Sequence, residues 1–202
     1  MIDLKSIADK ISYKYSNNDD PISPEMMVNK NGDKEWRVNE FLHREDGPAQ
    51  EKANGDKYWY VNGERHREDG PAIEYANGGK EWWIDGVRHR EDGPAIEFAN
   101  GDKYWYVNSV RHRKDGPAIE YANGDEEWKL NGELHRKDGP AVIRHDTKLW
   151  YLNGKLHRED GPAMERYNGG KSWYLNGHKI EYDPETWDQI VEENRIDNIM
   201  NE

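Results

Sequence analysis

The chain of 202 residues contains no cysteine and no long apolar run. The absence of cysteine excludes disulfide bonds and thiolate zinc sites, and it leaves the redox compartment open. A membrane-spanning helix needs about 20 consecutive apolar residues, and no segment approaches that length. No signal peptide is evident, so the sequence predicts a soluble protein of the cell interior with a cytoplasmic location.

Hydrophobic residues are scarce: they make up 34% of the chain, against 35% charged residues. Such a composition approaches the range of disordered proteins. Phenylalanine occurs only twice, but the chain has 9 Trp and 12 Tyr. Large aromatic rings can build a thin core from few residues, and here the tryptophans recur at a regular spacing. A folded repeat protein is therefore expected.

One phrase, His-Arg-Glu/Lys-Asp-Gly-Pro-Ala, occurs six times at intervals of 23 residues and, at the last step, 22. A fixed short period is the signature of a repeat array. The phrase begins at His43, His66, His89, His112, His135 and His157. The same period brings Trp36, Trp59, Trp82, Trp105, Trp128, Trp150 and Trp173. Residues that recur in every unit usually support the architecture, so we assign these tryptophans a structural role.

Each repeat contains two hairpin-turn signals. In residues 70–92 these are Asn77-Gly78 and Asp85-Gly86, dipeptides that accept the positive φ angles of tight turns. A lone hairpin is only marginally stable in water, so successive hairpins are expected to pair. The sequence therefore predicts an all-β repeat fold over residues 31–180, an elongated antiparallel meander of stacked β-hairpins. In the Asp-Gly-Pro corner, Asp is expected to form an Asx-type turn while Gly adopts the unusual torsion.

Strand alternation assigns the two faces of this sheet. The recurring tryptophan and the aliphatic residue two positions later, such as Trp82 and Ile84, point the same way and are expected to form the core. The residue between them varies and points the other way. This position is aromatic at Tyr60, Trp83 and Tyr106, and the aromatic surface as a whole is richest over residues 58–121. We predict that a partner binds at these three residues and at Tyr75, Phe98 and Tyr121. The alternative is that these side chains merely favour strands and flank their neighbours.

The recurring histidines pose a choice between a metal site and a structural role. Equivalent residues of stacked hairpins lie about 10 Å apart, too far for two of them to bind one ion at about 2 Å. We therefore expect no metal and no cofactor. The imidazoles are expected to bond a backbone carbonyl or to pack on a tryptophan, at His66, His89, His112 and His135. The arginine after each histidine is expected to pair with acids of a neighbouring repeat, such as Glu68, Glu74 and Glu91.

The two ends of the chain depart from the repeat. Residues 1–15 carry apolar side chains at the spacing of an amphipathic helix, and residues 16–30 are predicted to be a linker. Residues 181–202 are predicted to form an acidic C-terminal helix that begins at Asp183 and Pro184. Terminal elements commonly cover the exposed edges of a repeat array, so this helix is expected to be a cap. The alternative is that a terminal helix docks on a partner or on a second copy.

The net charge of −12 is unevenly distributed. Residues 181–202 carry eight acidic side chains against Arg195, which leaves the array close to balanced. The array therefore lacks the basic track that nucleic-acid binding needs, and membrane binding is disfavoured because anionic lipids attract basic patches. The array contains only two serines, Ser109 and Ser172. Its carboxylates repeat on a hydrated surface, where nothing raises the pKa of one above that of another, as acid–base catalysis requires. We predict that the protein is not an enzyme.

The pattern Trp-x-x-Asn-Gly-x-x-His-x-x-Asp-Gly-Pro-Ala resembles the MORN repeat in a variant form. The period, the Trp, the glycines and the His agree with that family over most of the chain. Asp-Gly-Pro replaces a simpler Gly-x-Gly segment, and arginine stands where the family has Gly after His, at Arg44, Arg67, Arg90, Arg113, Arg136 and Arg158. The resemblance implies an elongated antiparallel β array used in protein–protein scaffolding and dimerisation, sometimes in contact with lipid.

The arginine-bearing variant is similar to repeats of phage, giant-virus and bacterial proteins, which implies the host cytoplasm as the location if the protein is viral. The function expected from the sequence is a non-catalytic scaffold that binds a protein partner, or itself, through the exposed aromatic stripe. The alternatives are a phage-type accessory protein that inhibits a host factor such as a defence system, a membrane-surface binder and a hydrolase.

Overall fold

The structure is a computed structural model that describes residues 23–200. Within this range the chain is built from short antiparallel strands joined as hairpins, followed by one C-terminal helix, which confirms the predicted all-β hairpin repeat. The chain divides into two compact units, the first ending at Ala99 and the second beginning at Asn100. The predicted helix over residues 1–15 lies outside the described residues.

The first unit contains a main sheet in the order β1-β2-β4-β5-β8-β9-β12, in which β3 also pairs with β2. Two further hairpins, β6–β7 and β10–β11, branch from it. Its strands are β1 Glu25–Val28, β2 Lys34–Val38, β3 Phe41–Leu42, β4 Gln50–Glu51, β5 Lys57–Tyr58, β6 Tyr60–Val61, β7 Glu64–Arg65, β8 Ile73–Glu74, β9 Lys80–Glu81, β10 Trp83–Ile84, β11 Val87–Arg88 and β12 Ile96–Glu97.

The second unit repeats this plan in the order β13-β16-β17-β20-β21-β24-β25-β26, with side hairpins β14–β15, β18–β19 and β22–β23. Its elements are β13 Lys103–Tyr104, β14 Tyr106–Val107, β15 Val110–Arg111, β16 Ile119–Glu120, β17 Glu126–Glu127, β18 Lys129–Leu130, β19 Glu133–Leu134, β20 Val142–Arg144, β21 Thr147–Leu149, β22 Tyr151–Leu152, β23 Lys155–Leu156, β24 Met164–Arg166, β25 Lys171–Leu175, β26 His178–Ile180 and helix α1 Trp187–Met200.

The first strand lies within the segment that the sequence assigns to a linker. Residues 25–28 form β1, which pairs with β2 around a turn in which Gly32 has a φ of +83°. The Asn29 side-chain oxygen accepts hydrogen bonds from the backbone N–H groups of Asn31 and Asp33. The prediction began the array at Asn31-Gly32, which is itself a hairpin turn, and so omitted the strand that such a turn must have before it.

The recurring tryptophan joins the main sheet to the side hairpin within each repeat. In the second repeat, the Trp59 N–H donates to the Ala72 carbonyl at 2.8 Å, and the Trp59 carbonyl accepts from the His66 N–H at 3.2 Å. The same pair of bonds occurs at every tryptophan from Trp36 to Trp150. One backbone position therefore pairs in both directions, which fixes the register of the two hairpins relative to each other.

The two kinds of tight turn in each repeat differ in how closely they follow the torsions predicted from their dipeptides. Asn62 and Gly63 both have positive φ, at 52° and 78°, as a type I′ turn requires. Ser109 replaces the glycine in one repeat and still adopts a φ of 62°. In the Asn77-Gly78 turn only the glycine has a positive φ, because this connection has three residues rather than two.

One repeat is shortened at this three-residue turn. Arg144 pairs directly with Thr147, so His145-Asp146 forms a two-residue connection. The His145 N–H still donates to the Asp125 carboxylate at 3.1 Å, as the Ala122 N–H does to Asp102. The missing residue is absorbed in the turn, and the hydrogen bonds of Trp150 are unchanged.

The most deeply buried side chains are smaller than the sequence predicts. The tryptophan rings are only partly buried, and of the aliphatic residues two positions later only Val38 and Leu175 are fully buried. The alanine of each Gly-Pro-Ala segment is fully enclosed, and the residue that follows it is buried in four repeats. These positions are Ala49, Ala72, Ala95, Ala118, Ala141, Ala163, Ile73, Ile96, Ile119 and Val142.

The recurring tryptophan of these repeats is stacked with an arginine. Arg67 lies over the Trp59 ring with its guanidinium carbon 4.2 Å from the ring centroid. It also donates to the Pro71 carbonyl at 3.3 Å, and it pairs with Asp69 and Glu74 at 2.9 and 3.2 Å. The predicted pairing with Glu74 is thus present, whereas Glu68 faces the His66 ring instead.

The arginine stack occurs in all six repeats that carry the His-Arg pair. Its distances from guanidinium carbon to ring centroid run from 3.8 to 4.3 Å. A cation over an indole face contributes about 0.5–2 kcal/mol, more as water is excluded. Six such stacks supply a large share of the packing that scarce aliphatic residues cannot.

The glycine of the Asp-Gly-Pro corner is required for space rather than for torsion. None of these corner glycines has a positive φ, which corrects the prediction that Gly takes the unusual torsion there. A Cβ atom added to Gly116 would lie 2.5 Å from the Arg113 guanidinium carbon, and one added to Gly93 would lie 2.7 Å from that of Arg90. The corner aspartate is the ion-pair partner of the arginine, as in Arg90–Asp92 at 2.9 Å.

The C-terminal helix begins three residues later than predicted. Asp183 accepts a bond from the Glu185 N–H through its side chain, and from the Trp187 N–H through its carbonyl. Residues 184–186 therefore form a separate turn that leads into α1. An aspartate that accepts from N–H groups two and four residues ahead supports the first turn of a helix even where the regular helix starts later.

Helix α1 packs on the last repeat. Trp187 and Val191 are buried against Leu175, and the Trp187 Nε1–H donates to the Glu159 carbonyl at 2.8 Å. The last of the recurring tryptophans, Trp173, is not followed by a His-Arg pair, and Tyr182 stacks on it with centroids 4.3 Å apart. An aromatic ring from the helical segment thus replaces the guanidinium of the other repeats.

Substitution of Gly116 by Ala should destabilise the protein by about 1–3 kcal/mol, because the added methyl group must displace Arg113 from Trp105. Urea denaturation followed by tryptophan fluorescence would measure the change. The exposed neighbour Lys114 offers a control, since Lys114→Ala should alter the free energy of unfolding by less than about 0.5 kcal/mol. Equal effects of the two substitutions would contradict the close contact.

Acid should weaken the fold through the corner aspartates. Hydrogen bonds from Arg67 and Arg90 lower the pKa values of Asp69 and Asp92 below their ordinary value of 3.8. A carboxylate whose pKa is lower in the folded state stabilises the fold above the unfolded-state pKa, and this contribution is lost as the pH falls below it.

Urea denaturation at a series of pH values should therefore show the free energy of unfolding falling from about pH 4 downward. The double variant Asp69→Asn, Asp92→Asn should lose less stability over the same range, because two of the titrating pairs are gone. Identical acid slopes for the wild type and the double variant would refute this contribution.

Candidate functional site

A buried carboxylate organises the predicted binding face of the first unit. Glu81 is only 7% exposed. It accepts hydrogen bonds from the Tyr75 hydroxyl at 2.8 Å, the Trp83 Nε1–H at 3.0 Å and the Arg88 Nε–H at 3.1 Å. We call these four residues the Glu81 cluster. The cluster draws its members from strands β9, β10 and β11 and from the residue that follows β8. Its geometry therefore depends on the register of the β8–β9 and β10–β11 hairpins.

Trp83 lies between two arginines. The guanidinium carbon of Arg88 is 4.6 Å from the centroid of the Trp83 ring, and that of Arg65 is 4.9 Å from it. Trp82, one residue earlier, is instead stacked with Arg90. Adjacent tryptophans therefore point to opposite faces, as strand alternation predicts.

The phenols beside this cluster are held in fixed orientations. The Tyr58 and Tyr75 rings meet edge to face, with centroids 6.3 Å apart and planes at 87°. Burial and the hydrogen bond to Glu81 raise the pKa of Tyr75, so its hydroxyl remains a donor over the physiological range. Burial also raises the pKa of Tyr58, whose hydroxyl donates to Asp56 at 3.3 Å.

The second unit carries a smaller cluster of the same kind. The Arg111 Nε–H donates to the Tyr106 hydroxyl at 3.0 Å, and its guanidinium lies 5.3 Å from the centroid of the Tyr104 ring. Tyr104 meets Tyr121 edge to face, with centroids 6.1 Å apart. Burial raises the pKa values of Tyr104 and Tyr121.

The structure therefore brings together some of the predicted binding residues and separates others. Tyr75 and Trp83 meet in the Glu81 cluster, and Tyr60 faces Arg65 across the adjacent hairpin. Phe98, the most exposed of the set at 44%, belongs to the same unit. Tyr106 and Tyr121 belong to the cluster of the second unit.

The charged members of both clusters are not among the binding residues predicted from the sequence. Arginine occupies the last position of the side hairpin in three repeats, where three others have leucine, and this exchange is visible in the sequence. Each of these arginines faces an aromatic residue across the hairpin. The two kinds of position are Arg65, Arg88 and Arg111, against Leu42, Leu134 and Leu156.

The histidines bond to the backbone of the next repeat. The Nδ1 atom of His43 accepts from the Asn62 N–H at 3.2 Å, and that of His112 accepts from the Asn131 N–H at 3.1 Å. The side-chain oxygens of the same asparagines lie 3.0 and 2.9 Å from these Nδ1 atoms, and the tautomer of each ring decides whether Nδ1 accepts from the N–H or donates to that oxygen. The expected backbone partner was a carbonyl, and the partner found is an N–H group of the type I′ turn. This turn N–H points out of its own hairpin, where a neighbouring imidazole can reach it.

No three His, Asp or Glu side chains of residues 23–200 are grouped so that they could hold a metal ion. Each histidine instead lies beside its own turn and its own arginine corner, as His66 does with Asp85 and Glu68. None of the helices in the described part of the chain is long and apolar enough to cross a membrane.

The shallow grooves on the opposite face have a mixed lining. One groove of the first unit is bordered by Arg44, Asp46, Trp59, His66 and Arg67 among others. The arginines here are stacked on tryptophan and paired with aspartate. Their charges are thus already compensated, which makes the face with the Glu81 cluster the stronger candidate for recognition.

No protein-family model matches this chain, and no curated protein matches it either.

Replacement of Glu81 by Gln should destabilise the first unit by about 1–3 kcal/mol, because the charge-assisted bond from Arg88 is lost and the new amide group faces donors. Urea denaturation would measure this loss. The highly exposed Glu91 provides a matched control, because Glu91→Gln on a hydrated corner should cost less than about 0.5 kcal/mol. A Glu81→Gln variant as stable as this control would show that the cluster contributes little to folding.

Proposed function

We propose that this chain is a non-catalytic repeat scaffold that binds a protein partner, or a second copy of itself, through the face that bears the Glu81 cluster. The observation that carries the proposal is the position of Trp83 between two guanidinium groups, with its indole N–H fixed by Glu81. Trp, Tyr and Arg are the residues that most often dominate binding energy at protein interfaces.

The hydrogen bonds of this face favour binding because they order the side chains in advance. Tyr75 and Trp83 both donate hydrogen bonds to Glu81, and the Tyr75 ring also packs edge to face on Tyr58. A surface whose large side chains are already immobile loses less conformational entropy when a partner docks. Phe98 and Tyr60 add apolar area at the margins of the cluster.

The resemblance to the MORN repeat supports the same proposal by analogy, since it implies scaffolding through an antiparallel β array. It also leads us to propose a cytoplasmic location, in the host if the protein is viral. A phage-type inhibitor of a host factor would be one instance of this binding function, with the host factor as the partner.

The proposal is tested by affinity capture from a lysate of the cells that produce the protein, followed by mass spectrometry, with light scattering to detect self-association. The variant Tyr60→Ala, Trp83→Ala should lose the captured partner by about tenfold or more, because interface aromatic residues contribute about 2 kcal/mol or more when they are hot spots.

Tyr167→Ala is the control, since Tyr167 is 91% exposed and lies on a turn of the second unit. Circular dichroism would establish that both variants are folded. Undiminished capture by a folded Tyr60→Ala, Trp83→Ala variant would rule out this face as the binding surface.

A further inference from the structure

Two neighbouring repeats of the first unit differ in the residue that ends the strand before the recurring tryptophan. Strand β9 ends in Glu81, and the equivalent strand β5 ends in Tyr58. Both repeats have an arginine at the end of the side hairpin, Arg88 in one and Arg65 in the other. Arg88 is therefore paired with the carboxylate of Glu81. At the position equivalent to Glu81 in the other repeat, Arg65 has the phenol of Tyr58 instead.

Arg65 consequently carries a charge that no carboxylate of residues 23–200 compensates within 4.0 Å. Its Nε–H is enclosed and has no acceptor in this part of the chain, and the guanidinium contacts the Trp83 ring. A half-buried cation without an ionic partner is unfavourable, and a carboxylate that reaches the guanidinium from solvent would relieve part of that cost, with the enclosed Nε–H out of its reach. The chain as a whole has a net charge of −12, so this local positive site is distinct from its surroundings.

We propose that the Arg65 site, formed by Arg65, Tyr60, Tyr58 and Trp83, binds a carboxylate side chain from an acidic, aromatic-containing segment of the partner protein. This inference rests on the proposed function and names the chemistry of the partner. Glu81 provides the internal template, because it already joins an arginine, a tyrosine hydroxyl and an indole N–H through one carboxylate.

The stacking of Arg65 on Trp83 favours this kind of ligand. A guanidinium that lies against an aromatic face directs its N–H groups along its own plane, where a planar carboxylate can accept two parallel bonds. Tyr60, directly across the hairpin from Arg65, offers a ring against which an aromatic side chain of the same segment can pack. A nucleic-acid strand fits this site less well, because it presents many phosphates and therefore requires several uncompensated cations.

The inference is tested with three fluorescein-labelled probes whose binding to the full chain is followed by fluorescence anisotropy. One is a nine-residue peptide of alternating Glu and Tyr, the second replaces every Glu with Gln, and the third is a nine-nucleotide oligothymidylate. The Glu/Tyr peptide should bind about tenfold or more tightly than the Gln/Tyr peptide, because a charge-assisted bond to Arg65 is stronger than a neutral one.

Two variants assign the difference to this site. Arg65→Gln should reduce the affinity for the Glu/Tyr peptide to that of the Gln/Tyr peptide, whereas Lys57→Gln, which removes one exposed positive charge from β5, should leave it unchanged. Tyr58→Glu should also abolish the preference, because it gives Arg65 a carboxylate from its own repeat. Circular dichroism would show that each variant is folded.

Equal affinity for the two peptides, retained preference in the folded Arg65→Gln variant, or stronger binding of the oligothymidylate would each overturn the acidic-peptide assignment. The failure of this inference is distinguishable from that of the proposed function. If both peptides bind equally and Trp83→Ala abolishes their binding, the face still binds protein and only the charge preference is wrong. If neither peptide binds, the assignment of the ligand fails, and the capture experiment alone decides the proposed function.

Discussion

The fold depends on one interaction, the stacking of an arginine guanidinium on the tryptophan of its own repeat. Arg67 on Trp59 shows the arrangement: the aromatic face takes the cation, the Pro71 carbonyl and two carboxylates take its N–H groups, and the corner glycine leaves room for it. A chain with so few aliphatic residues obtains dense packing from a side chain that is both flat and charged. The acidic residues around it are therefore part of the packing and not merely a solvated surface.

The same kind of contact appears on the other face, where we propose that it takes part in binding. Each of the six repeats with a His-Arg pair has one arginine that stacks on its tryptophan and forms an ion pair with the corner aspartate. The arginines of the other face, Arg65, Arg88 and Arg111, occur in only three repeats. A residue that recurs in every repeat suits a structural role, because each repeat must pack on its neighbour. Departure from repetition suits recognition, because a partner meets one particular part of the surface. Of these three, Arg88 is paired with Glu81, whereas Arg65 has no carboxylate of residues 23–200 within 4.0 Å.

The sequence was sufficient to predict the features that depend on nearby residues. Asp85-Gly86 predicted a turn with two positive φ angles, and strand alternation placed Trp82 and Trp83 on opposite faces. It was insufficient where distant residues decide. The steric role of Gly116 follows from Arg113 lying over Trp105, and the buried state of Glu81 follows from donors on separate strands. The linker assignment failed at β1 because its Met-rich sequence lacks the aromatic residues that mark other strands.

The repeat that is one residue shorter shows where this architecture tolerates change. His145-Asp146 shortens the connection between β20 and β21, yet the strands on either side keep their pairing and Trp150 keeps both of its backbone bonds. Length variation at that edge is thus uncoupled from the arginine layer. For protein engineering, the edge is a natural point for grafting foreign loops or epitopes, whereas a side chain added to the glycine of the Asp-Gly-Pro edge would collide with the stacked arginine.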